Sequence, residues 1–284
     1  MQRLPRFLLV PALALLPAFA LLAGTGAAAN AAPAGGHSAA QAAAIARAAI
    51  RGLSIGQHDT DQRTGLTSQV AGLTQVHSTN WAGYADTGAS FSKVTASWTE
   101  PSASSCGFTV SLAAFWVGID GYTSSSVEQD GTLIECYFGS LYQYTWWEMY
   151  PTNDIQTVGS TLAGGDHIAA SVVRSGDSYT LAVTDSTHTA NSFSTTQSCS
   201  DCANSSAEWI AEAPSGESGV YPLTDFGSWT ASSATVAEGS SSGVISSFTD
   251  DEITMTDSSA NVKALPGALN GSGNGFGVTW ERSS

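Results

Sequence analysis

The strand pattern that runs through the chain after Thr79 constrains the fold more than any other feature. Short alternating runs of Ser, Thr, Val and aromatic residues are separated by clusters of Gly, Asp, Asn and Ser. β-Branched and aromatic residues favour strands, and the separating residues favour turns. The pattern predicts an all-β fold in which two antiparallel sheets pack as a β-sandwich. The predicted strands are residues 93–100, 109–118, 141–150, 167–174, 179–184, 207–212, 243–249 and 275–281.

The N-terminus has the form of an export signal. Arg3 and Arg6 precede an apolar stretch at residues 7–23, and Ala27, Ala28 and Ala29 provide a small-residue cleavage site before Asn30. This order predicts a secretory signal peptide at residues 1–29. No charged stop-transfer sequence follows the apolar stretch, so we expect a secreted protein rather than a membrane anchor.

The charge of the chain changes near residue 77. Residues 30–77 are Ala-rich and contain Arg47, Arg51 and Arg63, whereas residues 78–284 hold 22 of the 24 acidic residues. Residues 30–77 are therefore interpreted either as a linker or as a propeptide that docks by charge on the acidic domain at 78–284. The net charge of −15 repels phosphate and anionic lipid, so neither nucleic acid nor membrane is an expected partner.

The four cysteines of an exported chain are expected to form disulfides. Three pairings are possible, and we favour Cys106–Cys136 with Cys199–Cys202, because the chain already holds the second pair close together. A four-cysteine zinc site needs paired Cys-x-x-Cys loops, and Cys106 and Cys136 are isolated. The sequence thus implies no metal and no other cofactor.

Two stretches combine aromatic and acidic residues on one strand face. In residues 141–150, a period of two places Tyr142, Tyr144, Trp146, Glu148 and Tyr150 together, which indicates either a ligand groove or a sandwich core with a peripheral Glu. In residues 206–214 the same period places Glu208 and Glu212 on one face, where they are either solvated surface groups or site residues. Asp120 and Gln129 are further polar candidates, because both lie beside Gly-rich turns.

Six motifs in a fixed order resemble the glutamic peptidase (eqolisin) family. They are Asn80-Trp-Ala-Gly83, Trp116-Val-Gly-Ile-Asp-Gly121, Gln129-Asp-Gly131, Trp146-Trp-Glu-Met-Tyr-Pro151, Ala207-Glu-Trp-Ile-Ala-Glu212 and Asp225-Phe-Gly-Ser228. The resemblance spans most of residues 79–230. It implies a lectin-like (concanavalin-like) two-sheet sandwich, in agreement with the strand pattern.

The resemblance also implies an activity and its residues. The family hydrolyses peptide bonds in acid with one Gln and one Glu, which correspond by motif to Gln129 and to Glu212 rather than Glu208. The resemblance implies that the supporting or substrate-contacting positions are Trp81, Trp116, Asp120, Trp146, Glu148 and Tyr150. We therefore expect a monomeric secreted endopeptidase, made as a zymogen, with polypeptide substrates and its own propeptide as partners.

Two alternatives remain open at this stage. The aromatic and acidic face also fits a lectin-like sandwich that binds or hydrolyses polysaccharide, with Trp146 and Trp147 as sugar platforms and two carboxylates as acid and base. The second alternative is that the chain is a catalytically inactive relative of the family and acts as a binding module.

Overall fold

The computed structural model describes residues 68–70, 73–159 and 161–284, together with Ile50, Leu53, Ile55 and Gly56. The predicted signal peptide at 1–29 lies outside the described residues. The strands are β1 (Ser68–Val70), β2 (Leu73–Ser78), β3 (Trp81–Thr87), β4 (Phe91–Thr99), β5 (Ser111–Asp120), β6 (Val127–Tyr137), β7 (Ser140–Tyr150), β8 (Asn153–Thr157), β9 (His167–Ser175), β10 (Ser178–Asp185), β11 (Phe193–Ser198), β12 (Ser206–Glu212), β13 (Ser215–Gly216), β14 (Gly219–Val220), β15 (Ser228–Glu238), β16 (Ser241–Gly243), β17 (Thr249–Thr256), β18 (Val262–Pro266) and β19 (Phe276–Trp280). Short 3-10 helices occur at Thr189–Asn191 and Ile245–Ser247.

The strands form two large sheets, as the sequence pattern predicts. The first sheet has the order β1-β2-β17-β3-β12-β5-β6-β7-β8, with β18 and β19 following β17 on a second branch. The second has the order β16-β15-β4-β9-β10-β11. β15 belongs to both, since its first residues pair with β19 and its later residues pair with β4. The pairings of these sheets are antiparallel, apart from the parallel β2–β17 pair.

The main core packs large aromatic side chains from both sheets. Trp209 and Phe115 of the first sheet and Trp98 and Val172 of the second belong to one buried apolar cluster. Trp229, near the residue where β15 changes sheet, contacts Phe115 in a stacked geometry with ring centroids 5.5 Å apart. Burial of such rings is the dominant stabilising contribution in a sandwich of this kind.

Seven of the eight predicted strands match observed strands within two residues at each end. The prediction of one strand over residues 243–249 is wrong. That stretch holds the last residue of β16, a 3-10 helix and the first residue of β17. The Ser247 hydroxyl accepts a hydrogen bond from the Val244 backbone N–H at 3.0 Å, which turns the chain where an uninterrupted strand was expected.

Both favoured disulfides are confirmed. Cys106–Cys136 joins the β4–β5 connection to the end of β6, and Cys199–Cys202 lies in the β11–β12 connection. Each of these connections passes from one sheet to the other. The bonds therefore fix two connections that link the layers.

β1 and β2 extend the first sheet with residues that the sequence analysis placed in the predicted leader. Residues 74–78 of β2 pair in parallel with Asp251–Met255 of β17. Backbone hydrogen bonds of the sheet thus continue into residues N-terminal to 78. Among the described residues, no helix has the length and apolar composition needed to cross a membrane.

Candidate active site

The face of the first sheet that points away from the main core carries the predicted site residues. Pairing across four adjacent strands aligns Glu208 of β12, Gly118 of β5, Gln129 of β6 and Glu148 of β7 in one row. Side chains alternate along a strand, so Glu212 projects from the same face as Glu208, four residues further along β12. The register therefore gathers acidic and amide groups from distant parts of the chain.

Gln129 lies at the centre of this group and is fully buried. Its Nε2 donates to Glu148 Oε2 at 2.8 Å and to the backbone carbonyl oxygen of Ile55 at 2.6 Å. Its Oε1 has no hydrogen-bond partner among the described residues. Gly118 permits this placement, because a Cβ there would lie 2.8 Å from the Trp116 ring and 3.3 Å from Gln129 Cβ. The carboxylate of Glu148 thus orients an amide donor toward a carbonyl oxygen.

Three donors surround the carboxylate of Glu212. Its Oε2 accepts from Trp116 Nε1 at 2.9 Å and from the Gly56 backbone N–H at 2.9 Å, and its Oε1 accepts from Asn80 Nδ2 at 3.3 Å. Burial raises the pKa of Glu212 to about 8, although these hydrogen bonds act in the opposite direction. The carboxyl group is therefore held in a fixed orientation and binds its proton more tightly than an exposed Glu does.

Glu148 and Glu212 affect each other electrostatically. Burial raises the pKa of Glu148 well above its usual range, and the negative charge of Glu212 raises it further, while the hydrogen bond from Gln129 lowers it. Ionisation of one of these buried carboxyls therefore makes ionisation of the other less favourable. Such a site can hold one proton and release another, as general acid–base chemistry requires.

Aromatic side chains form the wall of the site. The rings of Trp81 and Trp116 meet edge to face with centroids 5.0 Å apart. Both are buried, and Trp146 belongs to the same apolar cluster. Tyr150 is half-buried at the end of β7, opposite Val127. The structure thus brings Trp81, Trp116 and Trp146 together beside the predicted dyad.

Asp120 has a different environment from the other predicted residues. It ends β5 with φ 71°, and its carboxylate accepts hydrogen bonds from the backbone N–H groups of Asn204 at 2.6 Å and Ser205 at 2.8 Å. The Ser205 hydroxyl donates to it at 3.0 Å. These contacts hold the β11–β12 connection against β5, so Asp120 positions the strand that carries Glu212.

The sequence analysis assigned no role to Asn80, which the structure places on Glu212. Its Oδ1 accepts from the Ser78 hydroxyl at 2.9 Å, and this bond directs its Nδ2 toward the carboxylate. Asn80 opens the first of the six motifs, and that position is the signal from which its role could have been inferred. The contacts from Ile55 and Gly56 had no signal in the sequence analysis.

Glu208 is fully buried and carries a pKa raised well above its usual range by burial, and by the charges of Asp120, Glu128 and Asp86. Among the described residues, the amide of Gln129 contacts Glu148 and Ile55 but not Glu208. The peptide group between Ile55 and Gly56 has hydrogen bonds to both Gln129 and Glu212, and among the described residues it has none to Glu208.

Two groups of residues in the described part of the chain have side chains of the types that bind metals. One combines Glu128 with Cys199 and Cys202, whose sulfurs are joined in a disulfide and so are not thiolate ligands. The other is Asp166, Asp185 and His188, in which His188 Nδ1 lies 2.9 Å from Asp166 Oδ1. Neither group includes Gln129 or Glu212.

Comparison with protein families and curated proteins finds similarity to peptidases. The model of the peptidase A4 family matches residues 79–266. The chain is 29% identical over 187 residues to aspergillopepsin-2 of Aspergillus niger and 34% identical over 138 residues to scytalidopepsin B of Scytalidium lignicola. These alignments cover 58% and 47% of this chain, and 66% and 51% of the relatives, so the chain spans less than two thirds of their length.

Solved structures with the same fold are also peptidases. Scytalido-glutamic peptidase, bound to a transition-state analogue inhibitor, superposes with a TM-score of 0.61 at 22% identity, and the match covers 72% of this chain and 98% of the other. Aspergilloglutamic peptidase from Aspergillus niger gives a TM-score of 0.52 at 27% identity, with 60% and 99% coverage. The sandwich fold is therefore confirmed, and the comparisons do not favour the polysaccharide-directed alternative.

Proposed function

Since the chain belongs to the peptidase A4 family, we propose that it is a secreted endopeptidase that hydrolyses polypeptides in acid, with Gln129 and Glu212 as its catalytic pair. One observation carries the assignment of the pair. The Gln129 amide and the Glu212 carboxylate reach the two ends of a single peptide group, the carbonyl of Ile55 and the N–H of Gly56.

The chemistry follows from these two contacts. Glu212 takes a proton from a water molecule, which attacks the carbonyl carbon of the substrate. Gln129 Nε2 donates a hydrogen bond to the oxygen as negative charge develops on it, and one such preorganised donor contributes about 3 kcal/mol of barrier lowering. Glu212 then passes its proton to the leaving nitrogen, so water is consumed and no other reactant is needed.

Glu148 acts on this reaction through Gln129. A carboxyl group offers an acceptor oxygen to an amide N–H in its neutral form, which burial favours for Glu148, as well as in its ionised form. The contact at 2.8 Å therefore fixes the direction of the Gln129 donor before substrate arrives. Glu148 is thus a positioning residue, while Trp81, Trp116 and Trp146 form an apolar surface for substrate side chains.

Acid pH favours both the role of Glu212 as a general base and the stability of the fold. When the site is open to water, burial no longer raises the pKa of Glu212 as strongly, and the group returns toward the ordinary Glu pKa of about 4.3. At neutral pH, buried carboxyls elsewhere, among them Glu128 with a pKa of about 9, favour unfolding because the unfolded chain ionises freely.

The remaining parts of the proposal concern export and maturation. The signal-like residues 1–29 direct secretion, residues 30–77 form a propeptide that is the chain's own first partner, and residues 78–284 act as a monomeric domain. Mass determination of the secreted protein tests the two processing steps, and sedimentation tests the monomer.

The catalytic proposal is tested by hydrolysis of an acid-unfolded protein between about pH 2 and about pH 8. Glu212→Gln and Gln129→Ala are expected to lower kcat by roughly 100-fold or more. Glu217→Gln, which alters an exposed carboxylate five residues along the chain, is the matched control and keeps full activity. Near-normal turnover by either site variant would contradict the assignment.

A further inference from the structure

A segment N-terminal to the sandwich lies in the candidate active site. Ile50, Leu53 and Ile55 expose only 1%, 7% and 0% of their surface, and all three belong to the apolar cluster that contains Trp81 and Trp116. These aliphatic side chains cover the aromatic wall where a bound polypeptide would place its own. The chain therefore fills its own groove with residues of its predicted leader.

The backbone of this segment contacts both members of the catalytic pair. The carbonyl of Ile55 accepts from Gln129 Nε2 at 2.6 Å, and the N–H of Gly56 donates to Glu212 Oε2 at 2.9 Å. The carbonyl and the N–H belong to one peptide bond. The Ile55 carbonyl oxygen thus contacts Gln129, the donor that would stabilise an oxyanion. The Gly56 nitrogen contacts Glu212, the acid that would protonate the leaving amine.

The residue after this bond fits only as glycine. Gly56 adopts φ +83°, which side-chain-bearing residues rarely adopt, and a Cβ there would overlap the Gln129 amide, whose Cδ would lie 2.6 Å away. Gly121 completes the fit, since a Cβ at that position would lie 2.8 Å from the Gly56 carbonyl oxygen. Two glycines thus let the backbone approach the amide of Gln129 closely.

From this placement we propose that the bond between Ile55 and Gly56 is a substrate of the enzyme's own active site, and that the segment blocks the groove until the bond is hydrolysed. This inference rests on the proposed peptidase function. One water molecule is consumed, the carbonyl carbon to nitrogen bond breaks, Ile55 gains a carboxyl group and Gly56 gains a free amine. The substrate class that the site accepts here is an aliphatic side chain before the cut and glycine after it.

The test follows the full chain at several pH values between about pH 4 and about pH 8, because Glu212 has a pKa of about 8 while the segment covers it and returns toward the ordinary Glu pKa when the site opens. N-terminal sequencing and intact-mass measurement are expected to find a fragment that begins at Gly56. An intramolecular cut follows first-order kinetics, so its rate constant is expected to stay the same on roughly 100-fold dilution. Glu212→Gln is expected to abolish this fragment.

A leader variant tests the blocking role separately from catalysis. Gly56→Ala should prevent the segment from seating on Gln129, so cleavage after Ile55 should fall at least roughly 10-fold, and the uncut chain should hydrolyse an added protein substrate without a lag. Gly88→Ala is the matched control, because Gly88 has nearly the same φ, +82°, but a Cβ added there would have no neighbouring atom within 4 Å. It should keep the wild-type cut and the wild-type lag.

The outcomes separate this inference from the proposed function. Hydrolysis of the added substrate with no fragment beginning at Gly56, or an unchanged lag in Gly56→Ala, overturns the inference and leaves the peptidase proposal standing. Failure to hydrolyse both the added substrate and the leader overturns both.

Discussion

Replacement of Asp86 by Asn is expected to change how the stability of the sandwich depends on pH. Asp86 lies on β3 between Ala207 of β12 and Asp250 of β17, is fully buried, and has no hydrogen-bond partner for either carboxylate oxygen among the described residues. Burial raises its pKa to about 9, and the nearby charge of Asp250 adds to this effect. The folded protein therefore keeps Asp86 neutral across most of the pH range.

The sign and size of the effect follow from proton binding. In the unfolded chain Asp86 ionises near its ordinary pKa of about 3.9, so above that pH the unfolded state releases a proton that the folded state retains. The contribution to stability is complete below about pH 4 and declines by about 1.4 kcal/mol per pH unit until the folded group ionises. Between about pH 5 and about pH 8 the loss amounts to roughly 4 kcal/mol.

Asn has nearly the shape of Asp but does not ionise, so Asp86→Asn should remove this decline. The variant will carry a constant cost for its buried amide, and the change in slope is therefore the decisive quantity. Urea unfolding at several pH values, with Glu212→Gln in both proteins to prevent self-digestion, measures that slope. Asp177→Asn, which alters an exposed carboxylate, is the control and should leave the slope unchanged. Parallel curves for parent and Asp86→Asn would refute the reasoning.

Three further changes test other parts of the structure. Glu148→Ala should lower kcat by roughly 10-fold or more with little change in KM, because it removes the acceptor that orients Gln129; a change in KM alone would contradict a positioning role. Replacing both Cys106 and Cys136 by Ser should lower the free energy of unfolding by about 3 to 4 kcal/mol, since the bond closes a loop with a sequence separation of 30; an unchanged urea midpoint would refute this. Gly83→Ala should destabilise the protein by about 3 kcal/mol or more, because the added Cβ would overlap the Trp209 carbonyl oxygen across the β3–β12 pair. A thermal unfolding temperature equal to that of the wild type would contradict this prediction.

The sandwich was predictable because one side of many strands faces the main core. Strand β9, for example, alternates between buried and more exposed residues, and its predicted bounds differ from the observed ones by one residue. Strand β6 was not predicted, because residues 127–136 are buried on both faces and include Glu128, Asp130 and Glu135. Buried acidic residues break the alternation on which sequence-based strand assignment depends.

The candidate site was predictable only in part, for a related reason. Period-two alternation places Glu208 and Glu212 on one face, but it does not say which strands lie beside them. The contacts of Asn80 and Gly56 with Glu212 join residues that are 132 and 156 positions apart. Contacts of that range depend on the strand order of the sheet, which local propensity does not encode.

The position of the two disulfides bears on the lifetime of the proposed endopeptidase among its own copies. Exposed connections between strands are where proteases cut first, because a substrate must be drawn out into an extended form to enter a groove. The β4–β5 and β11–β12 connections are the segments that Cys106–Cys136 and Cys199–Cys202 hold in place. We therefore expect these closed loops to resist extension into the groove of a neighbouring molecule, and so to slow digestion of the proposed peptidase by its own copies.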